Sequence, residues 1–207
     1  MKLERDVHLS VRKIFKIIGI PNAIVCDGAK AQVQGKTADL CRLAGTVLCQ
    51  IEPYTQWINR AKRYIGLFKD GIQKTMKETN CPLVLWDYCM EHKAKVNNVT
   101  AKDLFQLEGQ TPHYSVTGEE ADISNLCQFA FYDWCYFRDN TAKFPFPTSV
   151  LGRVLGPSDS AGNNMAQNIL TVNGRVVPRQ TCRPLTDDEI SSDTEKNKRN
   201  AFDKARR

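Results

Sequence analysis

The sequence has no CxxC pair and no cysteine spacing of the zinc-knuckle type, although its 207 residues include eight cysteines. Without such pairing, we expect most of these cysteines to be small core residues of a protein in a reducing compartment. Cys81, Cys89 and His92 form a cluster of metal-ligating types, but no fourth ligand accompanies them. The sequence therefore predicts no metal site there.

A secretory signal and a long hydrophobic run are also missing. Residues 1–13, MKLERDVHLSVRK, are charged and have no apolar core of the signal-peptide kind. The most apolar early run, residues 14–26, is interrupted by Lys16 and Pro21 and is too short to span a bilayer. We therefore expect an intracellular protein, in the nucleus or the cytoplasm, with no membrane partner.

Composition is that of an ordinary globular protein, with 42% hydrophobic and 25% charged residues. Its length suits one or two domains. The chain has 29 Lys+Arg against 23 Asp+Glu, a net charge of +6. This excess fits an anionic partner such as nucleic acid, although it also fits a role in solubility alone.

The first half of the chain alternates helical and strand patterns. Residues 7–18 have apolar side chains at helical spacing, and Gly19 with Pro21 is expected to end that helix. The apolar runs at residues 22–27 and 46–51 predict two strands buried on both faces of a parallel sheet, with a short helix at residues 35–45 between them.

Two further helices follow, and the first of them is strongly basic. It is predicted at about residues 57–78, with an apolar stripe over a third of its circumference. The stripe consists of Trp57, Ala61, Tyr64, Ile65, Phe68, Ile72 and Met76. The second helix is predicted at about residues 83–97, with Pro82 in its first turn. Its expected inward side chains are Leu85, Trp86, Cys89 and Met90.

The pattern changes to β-rich after a polar connector that begins near Thr111. Residues 127–139 form an aromatic, strand-like run, and residues 149–156 follow as another strand. Asn173-Gly174 lies between two β-prone runs, which strongly predicts a hairpin. Several short strands within about sixty residues predict a small antiparallel barrel that folds independently. The highly charged last twenty residues are expected to be a frayed helix or a disordered tail.

Taken together, these segments resemble the second half of the catalytic core of integrases from retroviruses and LTR retrotransposons. The matching segments are IPNAIVCDGA at residues 20–29, EPYTQWINRAK at residues 52–62 and LWDYCMEHKAKVNN at residues 85–98. Residues 116–139, 150–158 and 173–186 resemble the region that follows the core in copia-like Pol polyproteins. The resemblance covers about residues 7 to 185 and implies an RNase H-like fold.

This resemblance assigns the predicted domains. The fold class is α/β, a partial RNase H-like integrase core, followed by a small antiparallel β-barrel. Residues 1–110 would be the partial core, residues 111–124 a linker, residues 125–186 the barrel and residues 187–207 a charged tail.

The catalytic chemistry of such integrases needs two divalent metals held by Asp, Asp and Glu. Asp27 matches the second Asp of this family, whereas the position of the Glu is taken by Lys62. No residue before Asp27 matches the first Asp, which should lie on an upstream strand, and Gln56 replaces the usual Pro of the loop. An ammonium group cannot bind a metal cation. The resemblance therefore implies an inactive integrase with no cofactor, and Mg²⁺ or Mn²⁺ would be needed only in the active alternative.

The same resemblance places the basic helix along DNA. The candidate nucleic-acid-binding residues are Asn59, Arg60, Lys62, Arg63 and Lys69. Plainer interpretations stay open: Lys62, Arg63 and Lys69 as a solvated face, and Asn59 or Asp27 as the cap of a following helix. The aromatic residues between Phe129 and Phe137 could stack on bases, but a role in the barrel core is favoured.

Three functions follow from these observations. The leading hypothesis is a catalytically dead fragment of a retrotransposon integrase that still binds nucleic acid, DNA above all. The second is a segment of an active integrase, completed by upstream sequence. The third is a non-enzymatic interaction module, because residues 23–26 would form an apolar sheet edge. Self-association or other integrase chains would then cover that edge.

Overall fold

The structure is a computed structural model that describes residues 6–52, 60–140, 142–145, 147–162 and 164–206. Contacts divide the chain into two compact units, Met1–Lys69 and Asp70–Arg207, called unit 1 and unit 2 below. The predicted domain boundaries at residues 110, 124 and 186 stay predictions.

Unit 1 is a small α/β unit built around a parallel strand pair. Its elements are α1 (Val7–Ile18), β1 (Ala23–Cys26), α2 (Lys30–Val33), α3 (Gly35–Leu43), β2 (Val47–Gln50) and the beginning of α4 (Arg60–Thr79). Strands β1 and β2 are parallel, with Ala23 opposite Val47 and Cys26 opposite Gln50. The predicted first helix is confirmed, and it ends at Gly19, whose φ is 88° and whose N–H bonds to the carbonyl of Phe15.

The prediction that these two strands are buried on both faces is wrong. Val25 of β1 is 57% exposed and Val47 of β2 is 60% exposed, and only Cys26 of the two strands is buried. Burial of a parallel strand on both faces requires neighbouring strands and helices on each side. In the part of unit 1 that the structure describes, the sheet has two strands, so both have an unpaired edge.

Helix α4 is partly buried along its predicted apolar stripe. Ile72 and Met76, in its unit 2 portion, are buried, whereas Tyr64 and Ile65, in its unit 1 portion, are about half exposed. Trp57, the predicted start of the stripe, lies outside the described residues. The stripe is therefore a core face only in the second half of the helix.

Unit 2 is built on a five-stranded antiparallel sheet with helices before and after it. A 3₁₀ turn (Leu83–Leu85) leads into α5 (Trp86–Val99), followed by α6 (Pro112–Thr117) and α7 (Ser124–Cys127). The strands are β3 (Trp134–Arg138), β4 (Ser149–Pro157), β5 (Gln167–Leu170), β6 (Val176–Arg179) and β7 (Cys182–Pro184). Helices α8 (Asp187–Ser191) and α9 (Asp193–Arg206) complete the unit.

The sheet is open, so the prediction of a barrel is wrong. The strand order is β6-β5-β4-β3-β7, and β6 and β7 are its unpaired ends within the described residues. Helix α9 packs on the sheet instead of a closing strand. Phe202 is 3% exposed, with its ring 5.3 Å from that of Trp134, and Asp203 pairs with Arg153 of β4. The charged tail is thus helical, because Phe202 anchors it to the sheet.

The core of unit 2 lies between the strands and the aromatic run that precedes them. Its buried cluster consists of Phe129, Cys135, Phe137, Val154 and Ile169. The predicted hairpin is confirmed as β5 and β6, joined by a turn in which Gly174 has φ 79°. The aromatic run is a strand only from Trp134 onward, since Tyr132 has a positive φ of 66° that extended backbone excludes.

Helix α5 packs against β4 through a narrower face than the sequence predicts. Leu85, Cys89 and His92 are buried at i, i+4 and i+7, whereas Trp86 and Met90 are exposed. Each of the latter two lies one residue, or about 100°, further round the helix. The prediction that Trp86 and Met90 point inward is therefore wrong.

Candidate nucleic-acid interface

Asp27 directly follows β1 at the carboxyl end of that strand, and the next residue, Gly28, allows the chain to turn there. Gly28 has φ +74°, and a Cβ added there would lie 2.5 Å from Nε2 of Gln50. Gly28 thus lets the chain turn tightly beside the end of β2. Asp27 does not cap the following helix, because Ala29 is the N-cap residue of α2 and no side chain bonds there.

The carboxylate of Asp27 is instead paired with Lys62. Lys62 lies in the first turn of α4, and its Nζ is 2.7 Å from Oδ2 of Asp27. The two side chains are 42% and 34% exposed. At this exposure such a pair contributes about 0–1 kcal/mol to stability. The structure therefore brings together the two motif positions that are far apart in sequence.

Helix electrostatics explain why Lys62 benefits from a carboxylate. The first turn of α4 contains Lys62 and Arg63 and has no acidic residue. Cations at a helix N-terminus lie against the positive end of the helix dipole, which is unfavourable. Asp27 supplies from another element the negative charge that the helix itself lacks there.

These side chains do not fit the divalent metals that the integrase resemblance implies. The oxygen of Asp27 that would bind a metal is already within 2.7 Å of an ammonium group. Among the described residues, no group of three or more His, Cys, Asp or Glu side chains is arranged to hold a metal ion. The pair is an ion-paired surface feature rather than a ligand set.

A cavity of about 340 Å³ adjoins the pair inside unit 1. Apolar side chains of β1, β2, α1 and α3 form most of its wall, among them Val11, Ile24, Cys41 and Leu48. Sequence patterns did not indicate this cavity. It follows from the exposed strands, because a two-stranded sheet fills little of the space between its helices.

Of the remaining candidate residues of the basic helix, Arg60, Arg63 and Lys69 lie on α4. Arg63 and Lys69 are exposed on α4, and Arg60 is the first residue of that helix. Asn59 lies outside the described residues. Among the described residues, neither Arg63 nor Lys69 has a carboxylate within salt-bridge distance, so both charges are available to an anion.

The positive charge of the chain is concentrated in unit 1. Residues 1–69 contain 12 Lys+Arg and 5 Asp+Glu, whereas residues 70–207 contain 17 and 18. Unit 1 therefore has a formal charge of +7 and unit 2 of −1. The sequence contains this signal, but it is visible only when the unit boundary is known.

Most of the aromatic residues that could stack on bases are in the core of unit 2. Phe129, Phe131, Tyr132 and Phe137 are each at most 5% exposed. Trp134 is half-buried, with the guanidinium of Arg153 3.4 Å from its ring centre. The first four rings consequently have no face open to a base.

Cys81, Cys89 and His92 are buried neutral groups in the interior of unit 2. Burial raises the pKa of the Cys81 thiol to about 12 and raises that of Cys89. Burial and the nearby Lys93 and Lys95 lower the pKa of His92. Five of the eight cysteines are buried, which agrees with the predicted core role for most of them.

Among the described residues, no helix has both the length and the apolar character needed to cross a bilayer.

Comparison with known proteins gives a distant structural likeness and no family. No protein-family model matches the sequence, and no curated protein matches it. The structure is similar to a chain in the cryoEM structure of the simian T-cell lymphotropic virus intasome in complex with PP2A regulatory subunit B56 gamma, with a TM-score of 0.45 and 13% identity. The likeness covers 90% of this chain and 66% of that chain. At this level it assigns no family.

Proposed function

We propose that this chain is an integrase-derived fragment of a copia-like retrotransposon, binds DNA without sequence preference and has no catalytic activity. The observation that carries the proposal is the pair between Lys62 Nζ and Asp27 Oδ2 at 2.7 Å. Two positions that the sequence motifs equate with metal ligands lie side by side, yet one of them is a cation. An ammonium group there supports loss of metal chemistry and retention of positive charge.

DNA binding is proposed for the exposed basic side chains of α4 in unit 1. Lys62, Arg63 and Lys69 are all on this helix, and the unit that holds them has a formal charge of +7. Lys and Arg contacts to backbone phosphates release counterions and give affinity without sequence information. Lys62 is expected to contribute least of the three, because Asp27 already offsets its charge.

The salt dependence of binding to a short DNA duplex tests this proposal. We expect the logarithm of the affinity to fall linearly with the logarithm of the salt concentration, with a slope that corresponds to roughly three to five neutralised phosphates. At physiological salt the dissociation constant should be about 10⁻⁴–10⁻⁶ M. Arg63→Gln with Lys69→Gln should reduce the slope by about two. The matched control, Lys196→Gln with Lys204→Gln in unit 2, removes the same charge and should leave the slope nearly unchanged. Equal effects of the two double variants would show that net charge, and not this helix, drives binding.

Catalytic inactivity is tested by end-joining assays with a DNA duplex and Mg²⁺ or Mn²⁺. We expect neither the wild-type chain nor Lys62→Glu to join DNA ends, because the variant restores one carboxylate only. Lys62→Glu is also expected to weaken DNA binding, since it replaces a cation by an anion beside Asp27. Strand transfer by the wild-type chain that Asp27→Asn abolishes would refute inactivity and favour an active integrase.

A non-enzymatic interaction module is the second candidate, and the exposed apolar side chains of unit 1 favour it. Val25, Val47 and Leu43 are 57%, 60% and 85% exposed, and both strands have unpaired edges within the described residues. Such a surface is typical of protein contacts, which for this chain would be self-association or binding to other integrase chains. Light scattering after size exclusion tests the self-association form of this candidate, since a monomer at all concentrations excludes it.

A further inference from the structure

A row of polar side chains crosses three strands at one end of the unit 2 sheet. Arg138 is the last residue of β3, which lies between β4 and β7 in the sheet, and Ser149 lies directly opposite it on β4. On the other side, the N–H of Arg138 donates to the carbonyl of Thr181 at 3.1 Å, just before β7. Residues directly opposite each other in antiparallel strands project from the same face. Arg138 therefore lies between two hydroxyl side chains.

Within the described residues, the side chains of Arg138, Ser149 and Thr181 have no hydrogen-bond or salt-bridge partner, and the same holds for the hydroxyl of the adjacent Thr148. All four residues are exposed. They line a surface cavity of about 300 Å³, together with Tyr136 and Arg183.

The neighbouring arginine, in contrast, is already paired. Arg183 lies one row along the sheet, opposite Tyr136. Its two terminal nitrogens donate to the two carboxylate oxygens of Glu189 at 2.7 Å each, and its guanidinium lies 5.1 Å from the ring centre of Tyr136. Among the described residues that line the cavity, Arg138 is consequently the cation without a carboxylate partner, and Arg183 is held in place by Glu189.

From this arrangement we propose that the cavity binds a phosphate group with at least three free oxygens, either inorganic phosphate or a small phosphomonoester. A guanidinium group binds two oxygens in a fork, and hydroxyls supply further donors to the same anion. Arg138 and the hydroxyls of Ser149 and Thr181 beside it thus suit an anion with three terminal oxygens. A carboxylate and a phosphodiester each have only two terminal oxygens and a single negative charge, so both offer these donors fewer acceptor sites and a weaker attraction.

This site is independent of the DNA-binding face proposed above. It lies in unit 2, which has a formal charge of −1, and it shares no residue with α4. A phosphodiester is the group that a DNA backbone presents, and it is the poorer match to this set of donors. Either proposal can therefore fail without the other.

NMR titration of the full chain tests the site with four probes: inorganic phosphate, methyl phosphate, dimethyl phosphate and acetate. We expect the first two to bind and to shift the amide signals of Arg138, Ser149 and Thr181. Dimethyl phosphate and acetate should bind about tenfold more weakly or worse, because they offer fewer oxygens and less charge. Tighter binding of methyl phosphate than of inorganic phosphate would identify a monoester as the ligand, and the reverse would identify the free ion.

Substitutions locate the site. Arg138→Gln should weaken methyl phosphate binding about tenfold or more, and Ser149→Ala with Thr181→Val should weaken it several-fold. The control Arg175→Gln removes the same charge from the exposed hairpin turn, outside the cavity, and should leave the affinity unchanged. Because Arg138 and Ser149 are exposed residues at strand ends, we expect these variants to fold. Amide spectra that match those of the wild type away from the cavity check this.

Three results would overturn the proposal. One is the absence of binding by either phosphate probe at a probe concentration of about 20 mM, which is far above the dissociation constant of a specific site. Another is equal binding of dimethyl phosphate, which would remove the three-oxygen requirement. The last is equal loss of affinity in Arg175→Gln and Arg138→Gln, which would reduce the effect to net charge.

Discussion

Units 1 and 2 differ in how they use apolar and charged residues. Unit 2 buries a contiguous cluster around Ile169 and Phe137 and is nearly neutral, whereas unit 1 exposes Val25 and Val47 and has a formal charge of +7. In the antiparallel sheet of unit 2, β3 to β6 pair in sequence order, β7 returns to pair with β3, and α9 covers part of one face. A parallel pair needs neighbours on each side. The same apolar strand pattern therefore gives a core in one unit and an exposed surface in the other.

The largest effect on stability is expected from removing the helices that precede and follow the sheet of unit 2. A polypeptide of residues 70–207 should unfold in one cooperative thermal transition, whereas residues 122–186 alone should show none. The shorter piece lacks Phe202 and Asp203 of α9, which cover Trp134 and pair with Arg153. Circular dichroism during heating measures the thermal transition of each polypeptide. A cooperative transition of residues 122–186 would restore the interpretation, made from sequence, of an independently folding β unit.

Matched core and surface substitutions sharpen the contrast in packing. Ile169→Ala should reduce the free energy of unfolding of unit 2 by about 2–5 kcal/mol, because Ile169 is fully buried. Val25→Ala should change that of unit 1 by no more than about 0.5 kcal/mol. Urea unfolding followed through resolved amide signals of each unit gives the two values. A large loss in Val25→Ala would show that β1 is covered in solution.

The stability of unit 2 should decrease in acid because of His92. Burial, Lys93 and Lys95 lower its pKa below 6.5, and Asp133 opposes them in part. The unfolded chain then takes up the proton more readily, so the stability is complete above about pH 6.5 and falls as the pH is lowered. We therefore expect the free energy of unfolding of unit 2 to decrease as the pH falls from about 6.5 to about 5. Urea midpoints of wild type and His92→Gln measure it, and an equal loss in the variant would assign it to other groups.

The smallest effect is expected at the Asp27–Lys62 pair. A double-mutant cycle with Asp27→Asn and Lys62→Met should give a coupling energy of about 0–1 kcal/mol, since both side chains are partly exposed. Asp27→Asn should also increase DNA affinity slightly, because it releases the charge of Lys62. A coupling well above this range would mean that the pair is shielded from water, for example by a partner on the face of unit 1.

Local signals were sufficient for many elements. The helical spacing of residues 7–18 with Gly19, the apolar runs of β1 and β2 and the Asn173-Gly174 turn each predict an element that the structure contains. Exposure was harder to predict, as Trp86 and Met90 show, because it depends on how wide a helix face β4 covers. The prediction of a closed barrel failed for a related reason, since pairing of β6 with β7 depends on the packing of the whole unit, in which α9 contacts β3 and β4.

The sequence by itself determined the first helix, the strands β1 and β2, the hairpin of β5 and β6 and the basic character of α4, because these depend on residue type and local spacing. Only the tertiary structure decided that Lys62 pairs with Asp27, that the charge resides in unit 1 and that Arg138 lies between Ser149 and Thr181. Each of these joins residues that are distant along the chain. Such contacts are set by strand register and by the packing of whole elements, which no local pattern specifies.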